Sequence, residues 1–273
     1  MGRCERRRTE PAGRADADER MRIDLNADVG ESFGAYTLGH DEALIRSVTS
    51  VNVACGFHAG DPSVMRRTVR LAVTAGVAVG AHPGFPDLQG FGRRELRMAA
   101  SEVEDLVLYQ ISALAGVVAA EGARLRHVKP HGALYNMAAR DAALASAVVA
   151  AVAAFDRALR VVAPPASALA LAAVQADLRV ASEAFADRAY GPDGSLVPRG
   201  AAGAVIDDPD EVTARVLGLV RRGEMIAVDG SKIELRPDTV CVHGDTPQAA
   251  ALAARLKQQL TEAGIQVVAL GGV

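Results

Sequence analysis

From residue 21 onward, short β-branched and apolar runs alternate with longer stretches of helical periodicity, and nothing else in the chain restricts its fold as strongly. Strands are expected over Arg22–Asp28, Thr49–Ala54, Gly76–Ala81, Leu125–Lys129, Leu159–Ala163, Leu178–Glu183, Met225–Val228 and Thr239–Val242. Helices are expected over Asp41–Ser47, Pro62–Ala75, Ser101–Glu121, Asp141–Phe155, Ser167–Ala176, Pro209–Arg221 and Pro247–Ala263. Asp61, Asp208 and Thr246 each precede a proline, placing an N-cap ahead of the first helical position, while Gly122, Gly223 and Gly264 stand where helices close. Strands alternating with helices of this length imply parallel strands joined by crossover helices. The number of such units favours a closed barrel, with an open doubly wound sheet as the other solution. The Gly- and Pro-containing stretch Tyr190–Asp208 reads as a long loop on the active-site side.

The composition excludes several classes. With 30 basic and 33 acidic residues among 273, the net charge is −3, which gives a nucleic acid no basic face to hold. The three cysteines, Cys4, Cys55 and Cys241, are too far apart for a disulfide framework or a metal knuckle, consistent with a reducing cytoplasm. The apolar run Ala142–Phe155 is too short to span a bilayer, so no membrane partner is expected. Residues 1–20, rich in Arg and acids, lack the apolar segment of a secretory signal and read as a disordered extension ahead of one domain over 21–273.

In parallel α/β folds, the loops after the strands' carboxyl ends carry the chemistry. Polar residues collect there: Asn26, Asp28 and Glu31 at strand one, Asn52, Cys55 and His58 at strand two, then His82, Lys129 and His131. Glu183, Asp187 and Arg188 follow a later strand, and His243 with Asp245 follows the last. Four of the 6 histidines thus sit at strand ends. Singly, each has a plainer reading: Asp28 as a turn former, His58 as a core histidine, Cys55 as a small buried side chain rather than a nucleophile. Together they permit an Asp28–His58–His82 divalent metal triad, or a metal-free site with a carboxylate or histidine base and Lys129 and Arg188 facing developing negative charge. Neither GxxxxGK[ST] nor GxGxxG is present, so ATP would need another cradle.

Six motifs in order, LNADVGESFG (25–34), NVACGFHAGDP (52–62), GAHPGFPDLQGFGRR (80–94), HVKPHGALYN (127–136), EAFADRAY (183–190) and VHGDTP (242–247), make the chain resemble the LamB/YcsF family. Ala27, Ala184 and His40 depart from the residues usual at those positions. The resemblance implies an irregular, seven-stranded β/α barrel of the glycoside hydrolase/deacetylase type. It further implies the role of the A component of a 5-oxoprolinase, cleaving 5-oxo-L-proline to L-glutamate at the expense of ATP, with subunits B and C. On this reading Asp28, Lys129, His131, Glu183 and Asp187 are the catalytic candidates, and Asn26, Asn52, Arg188, His243 and Asp245 the substrate-binding ones. Asp28, His58 and His82 are the metal candidates. The rivals are a stand-alone metal-dependent amidase or carbohydrate deacetylase and a non-catalytic scaffold, and a homo-oligomer is left open.

Overall fold

A computed structural model describes residues 22–242 and 248–271. The strands are β1 (Arg22–Val29), β2 (Ser50–Ala54), β3 (Ala78–His82), β4 (His127–Val128), β5 (Arg160–Ala163), β6 (Arg179–Phe185), β7 (Glu224–Ile226), β8 (Lys232–Glu234), β9 (Thr239–Cys241) and β10 (Gln266–Val267). The helices, in chain order, are α1 (Asp41–Ile45), α2 (Pro62–Thr74), α3 (Ala100–Ala120), α4 (Gly132–Ala138), α5 (Ala142–Phe155), α6 (Ala168–Gln175), α7 (Pro209–Arg222) and α8 (Ala249–Glu262).

β1 to β6 pair in sequence order, β9 pairs β6, and β9 returns to β1, so seven parallel strands close a barrel as expected. β10 extends the start of β1. The strand expected at Met225–Val228 takes a different place: β7 pairs antiparallel with β8 in a hairpin outside the barrel. Its short apolar run looks like a barrel strand because such a run does not specify its partner. α4 lacks a sequence signal for a similar reason: it is two turns long and begins with a glycine. The residues that would cap the last helix, Thr246 and Pro247, and the whole of residues 1–20, lie outside the described residues.

Entry and exit signals act as the residue types dictate. Asp61 accepts the backbone N–H groups of Ser63 and Val64, Asp141 those of Ala143 and Leu144, and Asp208 that of Asp210. Gly223 ends α7 in the left-handed region at φ 68°, which a side chain would disfavour. α3 is 21 residues long and apolar enough to cross a membrane on length and composition, yet Val103, Val107, Ile111, Leu114 and Val118 are fully buried on its core face. Each such side chain contributes roughly 1.5–3 kcal/mol to folding, so α3 is held as a core helix.

β1 shows how the site is positioned. Leu25, Ala27 and Val29 are fully buried outward against the helices, while Asp24 and Asn26 are also buried, at 2% and 1% exposure, and point into the barrel. Alternation of polar and apolar residues ordinarily marks a strand with one wet face. Here both faces are dry, and the polar one is the barrel interior. The parallel register extends this layer across the strands, aligning Asp28 with Asn52, Asn52 with Gly80, and Gly80 with His127. Gly80 makes room for the imidazole: a Cβ there would stand 2.1 Å from His127 Nε2.

Candidate active site

The interior polar groups form one connected network. Asp24, at its base, accepts from Thr49 and Ser50 at 2.7 Å and from Thr239 at 2.5 Å. Burial pushes the Asp24 carboxyl up to about 6 despite those three hydroxyls. Asn26 donates to Thr239 at 2.7 Å and to Glu183 at 3.1 Å. Asn52 donates to Asn26 and Asp28 at 2.7 and 2.8 Å and receives His127 on its own carbonyl oxygen at 2.8 Å.

Lys129 is the centre of charge. Its Nζ lies 2.8 Å from Glu183 Oε1 and 3.1 Å from Asp28 Oδ1, and donates to Cys241 Sγ at 3.1 Å. Burial works against this ammonium, but Asp28, Cys241 and Glu183 outweigh it and hold its pKa well above the ordinary lysine value. It is therefore a fixed cation rather than a base. Tyr135, from α4, donates to the other Glu183 oxygen at 2.7 Å.

Above this network stand three histidines and a glutamate. His82 Nδ1 lies 2.7 Å from the Lys129 carbonyl oxygen and His131 Nε2 lies 2.8 Å from that of Phe91. A carbonyl only accepts, so each neutral ring places its hydrogen there. The remaining nitrogens, His82 Nε2 and His131 Nδ1, then face each other at 3.0 Å as two lone pairs. His58 stacks on His131 with centroids 3.8 Å apart, and among the described residues neither of its buried ring nitrogens has a hydrogen-bond partner. Glu31 Oε1 is 3.7 Å from His58 Nε2 and 3.9 Å from His131 Nδ1.

Converging lone pairs and a carboxylate call for a cation between them. One ligand atom from each of Glu31, His58, His82 and His131 falls within 4.8 Å of the others, so this group could hold a metal ion. The separations are on the scale of the roughly 3.4 Å tetrahedral edge that ~2.1 Å bonds produce. Burial, with repulsion from His82, keeps His58 well below its ordinary pKa, and burial with His58 and His82 does the same to His131. Both are thus neutral near pH 7, the ligating form. Glycines admit these rings: a Cβ on Gly84 would sit 2.6 Å from His58 Nδ1, and one on Gly92 2.7 Å from His58 Cβ.

Asp28 joins the two halves, with Oδ1 on Asn52 and Lys129 and Oδ2 3.3 Å from His82 Nε2. It also lines a cavity of about 170 Å³ together with Glu31, Asp41, Phe91 and Arg93. A larger groove of about 680 Å³ runs between α1 and α2 along Arg46, Arg66 and Arg70, away from this chemistry.

Of the residues singled out by sequence, Asn26, Asp28, Asn52, His58, His82, Lys129, His131 and Glu183 are gathered here. Arg188 is spent on the carbonyls of Val197 and Ala204, tying down the long loop, and Asp187 takes Ile206 N–H on its backbone oxygen. His243 and Asp245 lie outside the described residues. Cys55 donates to Val53 O at 3.2 Å, and burial pushes its thiol up to about 12, so it is no nucleophile. Sequence reasoning left Glu31 without a role and passed over Asp24, His127, Tyr135, Thr239 and Arg93. The Asp24–Asn26–Asp28 alternation on one strand was the available signal for the polar interior.

The model of the LamB/YcsF family matches residues 23–273. A protein from Methylococcus capsulatus, named as the A component of 5-oxoprolinase, is 58% identical over 250 residues, covering 92% of this chain and 96% of the relative. One of the same name from Pyrococcus abyssi is 52% identical over 250 residues, covering 92% and 98%. The crystal structure of the lactam utilization protein from Thermus thermophilus superposes with a TM-score of 0.88 at 49% identity, covering 92% of this chain and all of that one.

Proposed function

The chain belongs to the LamB/YcsF family, and from that premise we propose that it is the A component of a cytoplasmic, ATP-dependent 5-oxoprolinase. With subunits B and C it would open 5-oxo-L-proline to L-glutamate. The observation that carries this reading is Asp28, a carboxylate lining a small cavity while touching both the lysine network and the histidine cluster.

A five-membered lactam holds its amine and acid together intramolecularly, so ring closure is favoured and opening needs an external drive. Transfer of the ATP γ-phosphoryl group to the lactam oxygen, with ADP leaving, supplies that drive, and a water then attacks the activated carbon. Asp28, oriented by Asn52 and Lys129, takes the proton from that water. The ring C–N bond then breaks with a proton going to nitrogen, and the resulting acyl phosphate is hydrolysed to L-glutamate and phosphate. Lys129 and Glu183, too deep to meet substrate, hold Asp28 in place. Glu31, His58, His82 and His131 would hold a divalent cation, which when bound would polarise the lactam carbonyl. His131 is better placed as a ligand than as a base, because its ring hydrogen is committed to Phe91 O. The cavity volume, about 170 Å³, suits a small cyclic amide and falls below the roughly 300–1,000 Å³ of sites for larger ligands. On this reading part of the nucleotide chemistry is assigned to the partner subunits.

The test is ATP-dependent glutamate release with and without subunits B and C, before and after chelation. Full-rate ATP-dependent release by this chain alone would refute the division of labour. The buried histidine cluster also supports a second reading, a stand-alone metal-dependent amidase or deacetylase, which predicts chelator-sensitive hydrolysis without ATP.

A further inference from the structure

We propose that Phe91 sets the ring size of the lactam this site accepts, its phenyl ring standing as the apolar wall against which the substrate's methylenes pack; this rests on the lactam-opening reading above.

A cyclic amide carries two kinds of surface. Its amide edge needs hydrogen-bond partners or a cation, whereas its methylenes gain only by leaving water. The cavity is divided in the same way: Asp28, Glu31, Asp41 and Arg93 give it polar groups, and among the described lining residues Leu38 and Phe91 bring the apolar side chains. Leu38 stands at the rim, 46% exposed, on a loop closed where Ser32 Oγ accepts its N–H at 3.0 Å. Phe91 is half-buried against the histidine cluster, its ring meeting those of His131 and His58 edge to face at centroid distances of 5.2 and 5.8 Å. In a lactam held by its carbonyl at that cluster, the methylenes begin one bond from the carbonyl carbon and fall beside Phe91. A wall fixed relative to the point where the carbonyl is held measures the ring.

This wall is rigid, and its backbone is strained. Phe91 adopts φ 54°, a left-handed conformation that a bulky side chain disfavours, and such a residue persists only where its surroundings over-determine it. They do so here. Asp87 accepts Gly90 N–H on its side chain and Gly92 N–H on its backbone oxygen, both at 2.9 Å. Gly92 O accepts Ala133 N–H at 2.9 Å, and Phe91 O accepts from His131 Nε2 at 2.8 Å. The Arg93 guanidinium rests 4.9 Å from the ring centroid. A glycine would adopt this backbone without strain but would bring no ring. The strain therefore serves a side chain, and that side chain lines the cavity beside the cluster.

The experiment uses the full chain with its partner subunits and ATP. It compares KM for 5-oxoproline with the inhibition constant of 6-oxopiperidine-2-carboxylate, the lactam acid one methylene larger. In the wild type the larger ring should bind about 10- to 200-fold more weakly, the range one methylene commands in an apolar pocket. Phe91→Ala should raise KM for 5-oxoproline and tighten binding of the larger ring, cutting that ratio by about tenfold, the lower end of the same range. Phe91→Leu should fall between. Phe91→Gly should lose selectivity as Phe91→Ala does, yet unfold at a higher denaturant midpoint than Phe91→Ala, because glycine suits the left-handed position; the shared loss then comes from the missing ring and not from a loosened fold. A ratio unchanged in both variants overturns the assignment, as does a wild-type complex that opens 5-oxoproline yet binds both rings equally. A loss of selectivity matched by an equal loss of Zn²⁺ affinity also overturns it, since the ring would then serve the histidines. A wild-type complex that releases no glutamate overturns the lactam reading itself, a failure seen before any variant is compared.

Discussion

Removing the buried ammonium by Lys129→Met tests the electrostatic core of the site. The substitution keeps the side chain's length and leaves Glu183, whose side chain is fully buried, and Asp28, at 12% exposure, without the cation 2.8 and 3.1 Å away. Breaking a buried pair by deleting one partner costs about 3–5 kcal/mol, because the remaining charge has lost its compensation. The wild-type pKa of Lys129 is raised, so its contribution is complete below the ordinary lysine value and is lost only as pH rises through the higher folded value. Across the neutral range the wild type therefore keeps all of it. In the variant the orphaned carboxyls escape by binding protons, so the loss should shrink as pH falls. The measurement is urea unfolding followed by far-ultraviolet circular dichroism, since the chain has no tryptophan, at pH 8 and pH 5. Lys129→Met/Glu183→Gln should recover more than about 1 kcal/mol at pH 8, within the coupling range of contacting residues. A loss under about 1 kcal/mol, a loss equal at both pH values, or no recovery in the double variant would refute the reasoning.

Titration of the chelator-treated protein with Zn²⁺ or Mn²⁺ should show about one site, by the donor count of a closed tetrahedral set, and raise the unfolding temperature; His58→Ala should abolish that rise, and an unchanged rise would remove the cluster as its cause. Asp28→Asn should lower kcat by about 100-fold or more, in the range for a lost general base, and full turnover in the variant would dismiss that role. Gly80→Ala puts a methyl 2.1 Å from His127 Nε2, so a drop of about 1–3 kcal/mol from overpacking is expected, and a wild-type denaturation midpoint would contradict it. Burial, then repulsion from Lys129, pushes His127 down to about 3 from 6.5, so its stabilisation is complete above pH 6.5 and lost as pH falls toward 3. His127→Gln should flatten the pH dependence of stability in that window, and an unaltered slope would count against it.

Much of the barrel was legible because the backbone signals are local. A 3.6-residue apolar period, an Asp ahead of a Pro and a Gly at a helix end act within a few residues, which is why α2, α5 and α7 stand where the pattern places them. Pairing partners are not local, so the Met225–Val228 run gave no hint that it would leave the barrel for a hairpin with Lys232–Glu234.

The chemistry divides in the same way. Sequence alone determined that Asp28, His58, His82 and Lys129 stand at strand ends, because parallel strands present their carboxyl ends to one face whatever the details. It could not determine which of them touch. Only the pairing of the sheet, with β4 and β6 on either side of β5, sets Lys129 against Glu183, from residues 54 positions apart. Only the turn at Phe91 and Gly92 decides that His131 gives its ring hydrogen to a carbonyl and turns its lone pair toward His82. Hydrogen bonds and ligand geometry depend on fractions of an ångström between distant segments, a quantity that residue order along the chain does not carry and packing alone supplies.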